Sequence, residues 1–310
     1  MGDLMERARP LLDAALTRMK EDTFTEVDRA YFDLELALHA LRASVGVEAY
    51  RAALPELRKH PLTTKLQEDP FIRHSFTQPR GYPGDAELLD FIYGSGESAE
   101  KASAASPWGQ LSYRSMRNCI SCRAVRYRAN DVAERVQQGL KSSPDFRVFS
   151  LAAGHLCELQ TVRWHRTPGL VLATDQDPRS VAEIQRRYDA HVRAEVLSVK
   201  QVLTKGVPEG GFDLTYAAGL YDYLPEKVAV GLTRRLLDAT ASGGTVLIPN
   251  FVPECTGAGF MEYAMDWHLV YRDESDLIRM IEQATAPDEV GVVIQRDPTR
   301  QIATAVVTKA

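Results

Sequence analysis

Gly154 lies in the run Leu151-Ala152-Ala153-Gly154-His155-Leu156, and Asp175 follows 21 residues later in Ala173-Thr174-Asp175-Gln176-Asp177-Pro178. A glycine just after an apolar run lets the backbone turn sharply and come close to a ligand. An acid at the end of the next apolar run is placed to accept hydrogen bonds from ribose hydroxyls, with Gln176 beside it. Asp followed by Pro also suits a helix cap, which is the better reading of Asp177, while ribose binding is the preferred reading of Asp175. A pyrophosphate-binding loop would read G-x-G-x-x-G, and here Ala152 and the residues after Gly154 fill the other glycine places. A cofactor without phosphates fits this loop better.

Other residues could bind or react. In Phe212-Asp213-Leu214-Thr215-Tyr216-Ala217-Ala218-Gly219-Leu220-Tyr221, small Ala218 and Gly219 leave room for a ligand or allow close helix packing; Tyr221 serves equally as site or core. The stretch from Met261 to Arg272 supplies Tyr263, Trp267, an imidazole at His268 and a cation at Arg272, the best candidate for part of an acceptor pocket. His268 is the candidate base, its alternative being a packed, hydrogen-bonded ring. The turn Arg80-Gly81-Tyr82-Pro83-Gly84-Asp85 would present Arg80, Tyr82 and Asp85 to a ligand, or would be a turn and no more. Cys119-Ile120-Ser121-Cys122 has one C-x-x-C spacing without a second pair or a nearby His in register, so no metal is expected.

The elements that must position these residues change character along the chain. Leu4, Ala8, Leu11, Leu12, Ala15, Leu16 and Met19 recur at helical spacing, as do Val27, Tyr31, Leu34, Leu38 and Leu41, predicting two amphipathic helices. His60-Pro61 and Asp69-Pro70 read as breaks, and the small, polar run from Gly94 to Gly109 reads as a mobile loop of the kind that forms a lid. Arg114 to Gln138 is helical again, and Ser142-Ser143-Pro144 ends it. The boundary therefore falls near residue 142, dividing an N-terminal helical and lid region, 1–141, from a second domain, 142–310. In the latter, short apolar runs at 147–152, 170–174, 193–197, 212–217 and 245–250 alternate with helical stretches, as in parallel βαβ units. Residues 290–296 and 301–308, joined by Asp297-Pro298-Thr299-Arg300, suit a terminal antiparallel hairpin.

The order and spacing of Asp213, the run from Leu236 to Gly244 and the terminal hairpin resemble class I S-adenosylmethionine-dependent methyltransferases. Upstream, His60-Pro61-Leu62, Gln67-Glu68-Asp69-Pro70-Phe71 and Pro79-Arg80-Gly81-Tyr82-Pro83-Gly84-Asp85 resemble a bacterial subgroup that includes enzymes making methyl esters of 3-hydroxy fatty acids. The resemblance implies an α/β, Rossmann-like seven-stranded sheet, five parallel strands plus the hairpin, with a helical N-terminal extension. It implies a S-adenosylmethionine cradle at Ala152, Ala153 and Gly154, ribose at Asp175, adenine near Leu197 and Ser198, and methyl-donor contacts at Ala218 and Gly219. Arg123 is the candidate partner of the cofactor carboxylate, or one solvated charge among the arginines of its helix. Ala152-Ala153-Gly154-His155 departs from the glycine-rich loop of the family.

Methyl transfer from a sulfonium is an in-line displacement with an activated donor, so the protein mainly aligns the groups and excludes water. An ionised carboxylate acceptor needs no base; a phenol or amine does. The expected activity is methylation of a small molecule, a carboxylic or hydroxy acid foremost. Two alternatives are a cofactor-binding module without transfer on the same fold and an NAD-dependent oxidoreductase. The net charge of -5 gives no footprint for nucleic acid, and no apolar run approaches a membrane span. Four scattered cysteines and a charged N-terminus suggest a cytoplasmic protein. The sequence sets no oligomeric state.

Overall fold

Leu4, Ala8, Leu12 and Ala15 fall on the buried face of α1 (Gly2–Arg18), and Val27, Tyr31, Leu34, Leu38 and Leu41 on that of α2 (Phe24–Val45), as their spacing requires. The structure, a computed structural model, describes residues 2–21, 23–164, 168–188 and 190–310. Two compact units make up the chain: residues 1–123 with 255–268, and residues 124–254 with 269–310.

The first unit is helical. After α2 come α3 (Val47–Leu57), α4 (Pro61–Leu66), α5 (Pro70–Thr77), α6 (Ala86–Tyr93), α7 (Gly96–Ser103) and α8 (Pro107–Arg117); α13 (Ala258–Ala264) returns to the unit later in the chain. The expected breaks at His60-Pro61 and Asp69-Pro70 are helix starts. The imidazole of His60 and the carboxylate of Asp69 each accept the amide two residues on, and proline occupies the first helical position, where its missing N–H costs nothing. The expected loop from Gly94 to Gly109 contains α7: Ala, Glu and Lys are good helix formers, and Ser98 and Ala102 give the helix a buried face.

α9 (Ile120–Ser142) runs through both units as one helix, so the division falls inside it, at Arg123, and not at the Ser-Ser-Pro break that ends it. In the second unit follow β1 (Arg147–Leu151), β2 (Leu170–Asp175), α10 (Pro178–Tyr188), β3 (Arg193–Val196), α11 (Val199–Lys205), β4 (Phe212–Tyr216), α12 (Glu226–Ala239), β5 (Thr240–Phe251), α14 (Glu274–Ala284), β6 (Val290–Arg296) and β7 (Ile302–Lys309). The sheet order is β3-β2-β1-β4-β5-β7-β6, parallel through β5, with β7 antiparallel to both neighbours. This is the Rossmann-like seven-stranded sheet with a terminal hairpin and a helical N-terminus. β5 starts before the expected Thr245 because Thr240 already pairs with Phe212; the register then shifts before Thr245 meets Leu214.

Both faces of the sheet are covered, which is why its strands read as apolar runs. Val132, Val136 and Leu140 of α9 and Ile184 of α10 pack on Val148, Val171 and Leu214. Leu232 and Leu236 of α12 and Met280 of α14 pack on Phe149, Leu172 and Val246 of the other face. No helix among the described residues is long and apolar enough to cross a membrane.

Candidate functional site

Strand order reverses between β1 and β4, with β2 on one side and β5 on the other, and ligands of open α/β sheets bind at the carboxyl ends of the strands at such a point. The backbone leaving β1 is unusual there. Ala152, Gly154 and Leu156 all have positive φ, at 53°, 57° and 53°. Alanine and leucine are rarely found in this region and are held there at a cost of order 1 kcal/mol each. The loop is fixed from β2: Ala153 N–H donates to the Thr174 carbonyl at 3.0 Å, and Gly154 N–H donates to Asp175 Oδ2 at 2.9 Å.

Asp175 ends β2, buried, with Asp177 N–H donating to its other oxygen at 2.8 Å. A carboxylate accepts about four hydrogen bonds, so each oxygen retains capacity for a ribose hydroxyl. Burial raises its pKa, against the two amides that lower it. Asp177 caps α10, accepting from Arg179 N–H at 2.9 Å. Gln176 is exposed and Leu197 half-buried, and Leu197 N–H donates to the Asp175 carbonyl at 3.0 Å. Ser198 forms a capping box with Gln201 on α11.

Over the ends of β1 and β4 lies a group that the sequence reading did not single out. Arg128 of α9 is 7% exposed, yet its guanidinium makes no hydrogen bond among the described residues, and its Nε is a buried donor without an acceptor. A Cβ added to Gly219 would sit 3.4 Å from Arg128 Nη2, so the small residue after β4 adjoins the cation. Two buried acids interact with it through space. Burial pushes the Glu158 carboxyl upward and that of Asp222 to about 6, and the Arg128 charge acts to lower both. The hydroxyls of Ser150 and Tyr216, which are register partners on β1 and β4, are buried in the same place, and Tyr216 acts on the Glu158 carboxyl. Buried polar groups are normally paired, so a buried guanidinium donor left without an acceptor at the sheet edge is the pattern of a site for a polar ligand.

Arg123 is exposed, whereas Arg128 sits on the face of α9 that carries Val125, Ala129 and Val132 inward. A cation inside an apolar helical stripe was the signal available in the sequence. Glu158 and Asp222 carried none, because only the fold brings their segments beside α9.

Several acceptor candidates have internal partners. Tyr221 is fully buried, its hydroxyl on Thr233. Arg272 donates to the carbonyls of Tyr221 and Leu224 and to Asn250 Oδ1 at 2.8, 2.7 and 2.9 Å, tying the segment after β4 to β5. In the helical unit, Tyr263 is fully buried with its hydroxyl 2.8 Å from Thr63 Oγ1, and Trp267 is buried. Arg80 pairs with Glu87, Asp85 caps α6 and holds His74, and Tyr82 is half-buried. These polar atoms do structural work that a ligand role would have to displace.

His268 differs. Its side chain is 38% exposed, and Nε2 lies 3.0 Å from Asp266 Oδ1, which also accepts from Arg58 at 2.6 Å. Asp266 takes φ +49°, a strained value for a non-glycine residue. Burial opposes its ionisation, but the hydrogen bonds from Arg58 and His268 outweigh it and lower its pKa. A carboxylate of this kind orients an imidazole as a base.

No family model matches the chain, and no curated protein matches it. Among solved structures, a possible exported protein from Bordetella parapertussis aligns with a TM-score of 0.61 at 17% identity, over 88% of this chain and 97% of that one. The N-methyltransferase NodS from Bradyrhizobium japonicum, in complex with S-adenosyl-L-homocysteine, aligns at 15% identity and a TM-score of 0.45, over 69% of this chain and 97% of that one. Magnesium protoporphyrin IX methyltransferase from Synechocystis with bound S-adenosylhomocysteine aligns at 13% identity and a TM-score of 0.45, over 62% and 88%.

Proposed function

We propose that the second unit binds S-adenosylmethionine at the carboxyl ends of β1, β2 and β4, and that the protein transfers its methyl group to a small acceptor, a carboxylic or hydroxy acid. The observation that carries this reading is Arg128, a buried cation without a hydrogen bond among the described residues, flanked by Glu158 and Asp222. A carboxylate answers the guanidinium and an ammonium answers the acids, which together describe the zwitterionic end of an amino acid. Gly154 and Asp175 supply the second half of the match: a close backbone approach and a carboxylate for a ribose. Ala218 and Gly219 leave space between the two ends, and Leu197 offers apolar surface beside Asp175 for the base.

The sulfonium supplies an already electrophilic methyl group. The work of this chain is then to fix both ends of the cofactor, with Arg128 replacing Arg123 as the carboxylate partner, and to exclude water from the line of attack. A carboxylate acceptor is ionised at neutral pH and needs no proton removed. For a hydroxyl acceptor, His268, oriented by Asp266, is the residue we assign as base. Tyr82 and Trp267 are candidates for acceptor contacts.

Incubation of the whole protein with tritiated-methyl S-adenosylmethionine and a panel of carboxylic and hydroxy acids tests the activity. Label should pass to at least one acid. Tight cofactor binding with no transfer to any member would replace this reading with a cofactor-binding module, to which the Ala152-Ala153-Gly154-His155 loop also conforms.

A further inference from the structure

In the helical unit a cleft of about 420 Å³ opens beside α5. Pro70, Arg73, His74 and Thr77 line it at helical spacing, so one whole face of that short helix borders the cleft. Phe91 of α6 forms its apolar wall, with the His74 ring 5.6 Å from the Phe91 ring. Lys101 of α7 and Ala104 close the far side.

The charges around it are unevenly satisfied. Asp85 holds His74 Nε2 at 2.9 Å and caps α6. Glu87 takes Arg80 and Lys101, both at 2.8 to 2.9 Å, and these contacts, working against burial, lower its pKa to about 2. Both of these carboxylates are thus occupied, while the buried Asp69 at the start of α5 interacts with Arg73 through space only. Arg73 is exposed at the cleft and makes no hydrogen bond or ion pair among the described residues. An exposed guanidinium without a hydrogen bond among the described residues, and the half-exposed ammonium that Glu87 holds, at the rim of an apolar-walled cleft recognise a negatively charged head on an apolar body.

We propose that this cleft is a second ligand site, for a small organic carboxylate whose head meets Arg73 and Lys101 and whose apolar part lies along Pro70, Phe91 and Ala104. It lies wholly within the helical unit and stands independently of the cofactor reading.

Calorimetric titration of the full chain with 4-phenylbutyrate, and with its neutral analogue 4-phenylbutan-1-ol, tests it. The carboxylate should bind at least about tenfold more tightly than the alcohol. Arg73→Ala, at an exposed position, should weaken carboxylate binding about tenfold, and Ala104→Trp, which fills the cleft from an exposed position, should abolish it. Both variants should keep the wild-type Tm and unchanged S-adenosylhomocysteine titrations. Absence of carboxylate binding to the wild-type protein, or equal binding by both folded variants, would overturn the site.

Discussion

Burying a guanidinium without hydrogen-bond partners is expensive, and two acids acting through space relieve only part of that cost for Arg128. A ligand carboxylate would complete the arrangement. Arg128→Met should therefore weaken S-adenosylhomocysteine binding about 10- to 100-fold, the range for a lost charged hydrogen bond. Binding of 5′-methylthioadenosine, which lacks the amino-acid end, should barely change. Asp175→Asn should weaken both ligands by about 1–3 kcal/mol, because both carry the ribose. Parallel titrations of the two variants separate the two ends of the site; equal loss of both ligands in Arg128→Met would contradict the assignment. At this scale the sequence was informative only where chemistry is local. Asp175 stands out by its place after an apolar run, and Asp177 by the proline after it. Arg128 was one of five arginines between 114 and 128, and choosing it required knowing which face of α9 meets the sheet.

The elements of the second unit were the most legible part of the chain, since strands buried on both faces write themselves as apolar runs bounded by turn residues. β6 is found where its periodicity placed it, and β7 within one residue. The N-terminal region was read less well, for two physical reasons. Proline reads as a break where Asp69 and His60 make it a helix start, and the alanines and serines of α7 carry too little apolar surface to mark a helix without knowledge of what they pack on. The return of 255–268 to the helical unit is a long-range fact with no local signature. It is held by close packing: a Cβ on Gly259 of α13 would lie 2.7 Å from the Leu38 carbonyl oxygen of α2. Gly259→Ala should accordingly destabilise the protein by about 1–3 kcal/mol, despite the better helix propensity of alanine. A Tm equal to or above that of the wild type would show that the two backbones can separate without cost.

Across the molecule, buried acids set an unusual pH response. Burial raises Asp222 to about 6 and Asp69 to about 7, both above their unfolded value of about 3.9. Acids with raised native pKa values contribute stability that is full below about pH 4 and is lost as pH rises through about 6 to 7. Glu87 and Glu183, lowered to about 2, act only in more acidic solution. The ligand-free protein should melt at a higher temperature near pH 6 than near pH 8 at matched ionic strength, and Asp222→Asn should narrow that difference. A higher Tm near pH 8 would contradict the burial of these groups in ionisable form. The central claim, that the sheet edge around Arg128, Gly154 and Asp175 is a S-adenosylmethionine site, is tested most directly by calorimetric titration of the folded, ligand-free protein with S-adenosylmethionine and with S-adenosylhomocysteine. The account predicts one site per chain and micromolar binding of both; folded protein that binds neither would contradict it.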